Sequence, residues 1–496
     1  MGSPTPPIRL APLAADVARL GSVSVDATRL LPALLATGAA VSTATDERAE
    51  AGRDWWPLAM AWALQGQVAA VATAVVAPST TEQVAAIARL CNDARIPLTA
   101  AGGRSGVCGA SVPVHGGVAL SLTGLQGIVA IDETSLVVEV LSGTFGDEFE
   151  AELRERGFTA GHWPQSIALS TVGGWAACRG AGQYSTRYGK IEDIVLGLEV
   201  VLADGRVVRT GGAAHAAVGP DLTQVFLGSE GTLGIITRVW LKLHRLAPAE
   251  RRGAWSFPSF EAGAVACRRI LQRGATPAVL RLYDPVESQR SHGTSSTANL
   301  LVLDEGEPAL IDAVMSIVAE ECAEAAVADV DLVERWLHHR NDVSALEALT
   351  HKGFVVDTME VTTSWTNLDR VFHDVRSAML AVPHARAATC HLSHSYADGA
   401  CLYFSFAATP PSDEHEATYI ALWNAGQNAA LNAGARLSHH HGVGLNRHRF
   451  VRQALGTGLD VVESIKSALD PTGILNPGKL GLTSAFGPAA WPVPSS

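Results

Sequence analysis

Three consecutive histidines, His439, His440 and His441, stand in LSHHHGVG at Leu437–Gly444. A second stretch, CHLSHSYADGACLYF at Cys390–Phe404, sets Tyr396 beside His391 and His394, just ahead of Asp398-Gly399. Imidazole titrates near working pH, and a phenol can act as acid or base when a cation lowers its pKa. Proton transfer is therefore the chemistry these residue types offer. If SHHHGVG is extended, His439 and His441 share one face and His440 points the other way, so at most two of them meet a substrate together. The same residues could form a structural cluster, or a metal site with His391 and His394; no carboxylate stands at ligand spacing, so no metal is expected. Taken alone, Tyr396 reads as a half-buried core tyrosine. Its flanking histidines make it a functional candidate. Arg281, in LRLYD, has Asp284 as a ready salt-bridge partner.

Three glycine-rich loops point to a bound cofactor, because phosphates and carbonyls need close backbone N–H donors. The first contains Gly102, Gly103, Arg104, Ser105 and Gly106, then Gly109. The second begins at Pro164, Gln165 and Ser166, continues through Ser170, Thr171, Gly173, Gly174, Gly180 and Gly182, and ends at Tyr188 and Gly189. The third runs from Gly228 through Glu230 to Gly234, ahead of Ile235.

The elements around these loops alternate. VVAP ends a strand, Thr80 or Thr81 caps a helix over TEQVAAIARLCNDARI, Pro97 stops it, and Val118 to Leu122 reads as the next strand. This β-α-β unit with its glycine loop is a phosphate cradle in outline. The glycine spacing is not the Rossmann fingerprint, and the loop leads to a strand rather than a helix. IVLGLEVVL reads as a buried strand that turns at Asp204-Gly205 into VVRT. Residues 1–50 look helical and Ala-rich. After about residue 245 longer helical patterns alternate with strands such as VLRLYD, FVVDTMEV and CLYFSFAATP, a second α+β unit.

Length and composition bound the class. A chain of 496 residues exceeds one core, and 47% hydrophobic against 17% charged residues suits a large globular enzyme. A net charge of −12 argues against a nucleic-acid partner held through phosphates. Seven cysteines without a C-x-x-C pair read as reduced thiols in a cytoplasmic protein, and MGSPTPPIRL carries no signal-peptide pattern. The apolar window Trp55 to Pro78 reads as a short helix running into a strand, so no integral membrane segment is expected.

In this order the motifs resemble the FAD-binding oxidoreductases of the vanillyl-alcohol oxidase type, from about Asp54 to Leu480. PLTAAGGRSGVCG is similar to the family's pyrophosphate loop, PQSIALSTVGGWAACRGAGQYSTRYGKIEDIV to its second FAD segment, FLGSEGTLGIIT to its third, and LDPTGILNPGK to its closing motif. LSHHHGVG and CHLSHSYADGACLYF resemble the alkyl-dihydroxyacetonephosphate synthase branch. The resemblance implies an α+β fold: a two-subdomain FAD-binding domain over 1–245 with a helical lead-in to about 70, a cap domain over 246–434, and a segment over 435–496 returning to the flavin. It implies FAD bound by the loop residues named above, noncovalently, since the first loop lacks His. Tyr396 and the histidine triplet are then acid/base groups, with Arg281 and His394 on the substrate side. Two departures remove cations that could meet a substrate phosphate: SALEALTHKG, Ser344 to Gly353, has no arginine, and Leu445 stands where eukaryotic synthases carry Lys. The expected activity is dehydrogenation of a small polar hydroxy acid or alcohol by hydride transfer to flavin N5, by a homodimer. The alternative is the redox-neutral synthase reaction, with the substrate held covalently at N5.

Overall fold

The computed structural model describes residues 18–20, 24–212, 214, 216–293, 296–488 and 491–492. Its first sheet places Ala74–Ala77, Val118–Ser121 and Leu98–Ala101 in parallel, with Ala40–Ser42 antiparallel on the outer edge. The crossover helix Thr81–Ala94 begins where the Thr80 hydroxyl accepts the Gln83 amide, and it buries Val84, Ile87, Ala88 and Cys91. It stops at Arg95, in the left-handed region at φ 53°, before Pro97 is reached. The Ala-rich lead-in differs from expectation. Within residues 24–50 it forms the short helix Leu31–Ala36, the edge strand Ala40–Ser42 and the start of a helix over Thr45–Ala51. The open edge of the parallel sheet recruits a strand there, and tertiary pairing overrides helix propensity. Residues 1–17 lie outside the described residues.

The second sheet is antiparallel, in the order Ile128–Asp132, Val137–Leu141, Ile235–Lys242, Val195–Val201 and Val207–Gly211. Gly205, at φ 80°, lets the turn bring Val201 opposite Val207. Leu98, Val118, Leu120, Val201, Ala203 and Ile235 share one core, which locks this sheet to the first. The C-terminal chain returns to it as well: Leu98 donates its amide to the Ile474 carbonyl, and Asn476 donates to Leu98.

A third sheet of seven antiparallel strands runs Ala326–Val327, Ala249–Phe257, Ala298–Gly306, Val279–Tyr283, Ala385–Ser395, Gly399–Ala408 and Val355–Ser364. Side chains alternate between its two faces. Leu280, Leu282, Leu300 and Val302 join a core with residues of the helices Phe260–Gln272, Leu368–Leu380 and His415–Asn432. Val279, Leu301 and Leu303 instead join Val138, Val140 and Leu198 of the second sheet. The sheet is thus buried on both sides, and one end of it faces the glycine loops. No helix of the described residues is long and apolar enough to cross a membrane, and the window Trp55–Pro78 is the helix Pro57–Leu64 followed by the strand Ala74–Ala77.

Phe404, fully buried on the strand Gly399–Ala408, belongs to the larger core. Phe404→Ala is expected to cost about 3–5 kcal/mol through lost burial and the cavity left behind. Denaturant unfolding of the purified variant checks this.

Candidate active site

The strand Ala385–Ser395 has a register shift between Ser393 and Ser395 against Gly399–Ala408, and the extra residue, His394, sits at φ 51°. A bulge of this kind re-aims a side chain. Here it brings His394 towards the histidine loop, with ring centroids 5.0 Å from His439 and 4.9 Å from His440. Two residues on, the Tyr396 hydroxyl lies 2.9 Å from His439 Nε2.

The histidine loop itself is a run of bends, not an extended segment, so the expected alternation of His439 and His441 against His440 does not hold. His439 and His440 converge, with their Nδ1 atoms 2.9 Å apart, while His441 turns towards Glu360 at 3.6 Å. The loop takes this shape because Glu360, fully buried on the strand Val355–Ser364, gathers its polar groups. The carboxylate accepts the amides of His439 and His441 at 2.6 and 2.7 Å and the Ser438 hydroxyl at 2.7 Å, and it pairs with fully buried Arg447 at 3.2 Å. Hydrogen bonds to a charged group contribute about 1.5–3 kcal/mol each. Burial alone would raise the Glu360 pKa, but Arg447, His441 and these donors hold it below the ordinary carboxylate value.

From the other side Glu230, itself at φ 50°, accepts the Val443 and Gly444 amides at 2.6 and 2.9 Å. Its carboxylate, placed among the cofactor ligands by sequence, is directed at the histidine loop. Lys190 donates to the His439 carbonyl at 2.7 Å. Burial pushes His394, His439 and His440 well below the ordinary imidazole pKa, with neighbouring cations and imidazoles adding to the shift, and burial pushes the Tyr396 phenol up. All four groups are uncharged at neutral pH. One ring nitrogen each of His394, His439 and His440 lies within 4.8 Å of the others, a compact three-imidazole set that could hold a metal ion without a carboxylate; the spacing in sequence did not reveal it.

Arg281 does not pair with Asp284. Its Nε donates to the Tyr283 hydroxyl at 2.7 Å and its Nη2 lies 2.6 Å from His391 Nε2. Asp284 instead caps the helix Pro285–His292 by accepting the Glu287 amide, and also accepts the Cys390 amide.

The first and second glycine loops meet. A Cβ on Gly102 would lie 2.2 Å from Thr171 Oγ1, and one on Gly103 would lie 2.0 Å from the Leu169 carbonyl oxygen. Arg104, at φ 53°, keeps Nε and Nη2 buried without a protein partner among the described residues, and the amides of Gly103–Gly106 make no backbone hydrogen bond there. Free amides beside an unpartnered guanidinium suit a diphosphate, so the cradle fits FAD. Other expected ligands have roles within the chain. Ser170 accepts from the Trp175 indole and Thr171 caps the helix Val172–Cys178. Ser166 turns the chain by accepting two amides, next to Pro164 and exposed Gln165. Gly173 donates to Ser142, while Gly174 donates to Thr171. Gly180 closes the helix end, Gly182 lies against Trp163, and Gly189 turns at φ 86°. Tyr188 donates to Glu305 of the third sheet at 2.6 Å. Gly234 approaches Val200, and Ile235 lies in the core between the first two sheets. Ser105 sits half-buried in the cradle between Arg104 and Gly106.

Sequence reasoning missed Glu360, Lys190 and Ser185. Lys190 and Ser185 lie inside the second FAD segment, where their residue types were signal enough. Ser185 Oγ lies 2.7 Å from His394 Nδ1. Nothing local marks Glu360.

Glu360→Gln leaves Arg447 buried without a counter-charge and is expected to cost about 3–5 kcal/mol at neutral pH. Because the folded pKa of Glu360 is depressed, its stabilisation is complete above about 4.5, its ordinary value, and is lost as pH falls through the lower folded value. The melting temperature of the variant should therefore fall less steeply than wild type below that pH.

Two family models match the chain: the FAD binding domain over residues 72–211, and the C-terminal domain of FAD linked oxidases over residues 246–480. The uncharacterised FAD-linked oxidoreductase YgcU of Escherichia coli (strain K12) is 31% identical over 432 residues, covering 83% of this chain and 89% of that protein. Alkyldihydroxyacetonephosphate synthase of Dictyostelium discoideum is 29% identical over 455 residues, covering 84% and 74%. A solved alkyldihydroxyacetonephosphate synthase superposes with a TM-score of 0.75 at 22% identity, covering 96% of this chain and 88% of its own, a likeness of fold. The chain is an FAD-binding enzyme and belongs to the FAD-linked oxidoreductases of the vanillyl-alcohol oxidase type.

Proposed function

We propose that the protein dehydrogenates a small polar substrate bearing a hydroxyl group, a hydroxy acid or alcohol. The observation that carries this reading is the Tyr396–His439 contact at 2.9 Å, a neutral phenol beside a neutral imidazole. FAD supplies the hydride acceptor, at N5 of its flavin ring. The chain's own task is to remove the hydroxyl proton and to hold the reacting carbon in place. With His439 neutral, Tyr396 O–H donates to its Nε2, and its Nδ1–H donates to His440. As the phenol takes the substrate proton, its own proton passes to His439, so no buried charge has to persist on Tyr396. Lys190, on the His439 carbonyl, and Glu360, on the His439 amide, keep the ring in register.

Noncovalent FAD is part of this reading. Gly102–Gly106 and Arg104 hold the diphosphate, and the cradle carries no His. Cys108 beyond it is fully buried, with its thiol pushed well up by burial and so a poor nucleophile. Acid precipitation should release all of the yellow colour into the supernatant. Gly103→Ala, whose Cβ would meet the Leu169 carbonyl, should yield protein with reduced flavin content.

Anaerobic mixing of the yellow protein with 2-hydroxy acids and alcohols should bleach the flavin band, and Tyr396→Phe should slow that bleaching by about 10²–10⁴-fold. His439 must be neutral to act, and its pKa is depressed, so kcat/KM should stay flat as pH falls through 6.5, the ordinary imidazole value. If nothing bleaches, and acyl-dihydroxyacetonephosphate with a fatty alcohol releases free fatty acid, the synthase reaction replaces this reading.

A further inference from the structure

Among the described residues after Leu482, Trp491 alone is buried, at 1% exposure. Its indole stands edge-on to that of Trp56, with ring centroids 4.9 Å apart and planes at 80°. The Arg449 guanidinium lies 5.1 Å from the Trp491 ring centroid, the Tyr419 ring lies 6.2 Å away, and the indole N–H donates to Glu416 at 3.4 Å. Aromatic and cation–π contacts of this kind add to the area the ring buries. The chain just ahead of it is exposed or half-buried, so this one ring fastens its segment.

Trp56 carries the contact inwards. It is fully buried, its indole N–H donates to the Tyr419 hydroxyl at 2.8 Å, and that hydroxyl donates to Asp357 at 2.5 Å. The ring lies against the first glycine loop, where a Cβ on Gly109 would come within 3.2 Å of Trp56 Cε3. The residues just before it tie the same loop. The Trp55 amide donates to the Gly106 carbonyl at 2.8 Å, and Asp54 accepts the Trp56 amide at 3.1 Å. From the other side Leu445 crowds Gly109 at 3.2 Å, and its amide donates to the Cys108 carbonyl at 2.8 Å. Residues 102–109 lie in no helix or strand. The shape of such a loop is set by what packs against it, and the groups behind a binding loop decide how well it is pre-formed.

We infer that Trp491 is a positioning residue for the cofactor: pressed against Trp56, it holds the first glycine loop in the shape that receives the FAD diphosphate. This rests on the cradle described above and goes beyond the proposed reaction, which plays no part in its test.

The rate at which FAD leaves the purified, FAD-loaded protein measures this support. It is followed as the rise in flavin fluorescence after dilution, at a temperature where circular dichroism shows each variant folded. Trp491→Ala should release FAD about 10- to 100-fold faster than wild type, the range of a typical coupling between two sites. Trp491→Phe, which keeps a ring against Trp56, should release it at close to the wild-type rate. Free indole should enter the slot vacated in Trp491→Ala and slow the release again. Phe372→Ala serves as the control for lost stability alone. It removes a ring stacked at 4.2 Å on Phe260, between the helices Phe260–Gln272 and Leu368–Leu380, and should leave FAD release unchanged. The inference is overturned if Trp491→Ala keeps FAD as wild type does, or if Phe372→Ala loses it as fast as Trp491→Ala. Should Trp491→Ala fail to fold, Trp491→Leu decides in the same way. Faster release from these variants, with no flavin bleaching by any hydroxylated substrate, would sustain the role of Trp491 and remove only the dehydrogenation reading.

Discussion

The ion pair between Glu360 and Arg447, with neither side chain exposed, is the constraint on which the active-site geometry depends. The histidine loop lies in no helix or strand, so its amides have no ladder to satisfy them, and a buried amide without an acceptor is expensive. One carboxylate gathers two of those amides and a hydroxyl, and the guanidinium makes its charge tolerable in the interior. Glu230 does the same for the next turn of the loop from the opposite half of the molecule. The proposed acid/base residues therefore stand on an irregular segment fastened at both ends by charge, where a strand would have sent alternate histidines apart.

Dryness sets the electrical state of the cluster. Charged imidazoles as close together as His394, His439 and His440 would repel one another in a medium that screens poorly. Burial instead keeps each ring neutral, able to accept at one nitrogen and donate at the other. The bulge at His394 completes the set, at the cost of a backbone conformation that a non-glycine residue seldom adopts.

Much of this was legible in sequence because it depends on local pattern. The helix Thr81–Ala94 follows from its cap and its apolar spacing, the turn at Asp204-Gly205 from its dipeptide, and the cofactor cradle from glycines that leave room for another backbone. Tyr396 and the histidines stood out by residue type. What stayed hidden depends on distant pairing. Glu360 looks like any strand glutamate until the loop some eighty residues later closes over it. SHHHGVG is not extended, because its shape is dictated by acceptors on other elements. The pairing of Arg281 with Asp284 failed because Asp284 is consumed in capping a helix. The lead-in helices were overcalled, since alanine content says nothing of a sheet edge awaiting a strand.

The short segment over residues 183–188 touches the third sheet and its helices again and again. Gln183 meets Arg340, Ser185 meets His394, Thr186 accepts the Ser395 amide, Arg187 pairs with Asp304 at 2.7 Å, and Tyr188 donates to Glu305. A lid hinged along this line would have to break every one of these contacts at once. These contacts join the second sheet's loops to the third sheet along one seam. The histidine loop and the bulge at His394 are thereby held against the segment over residues 183–188 from two sides.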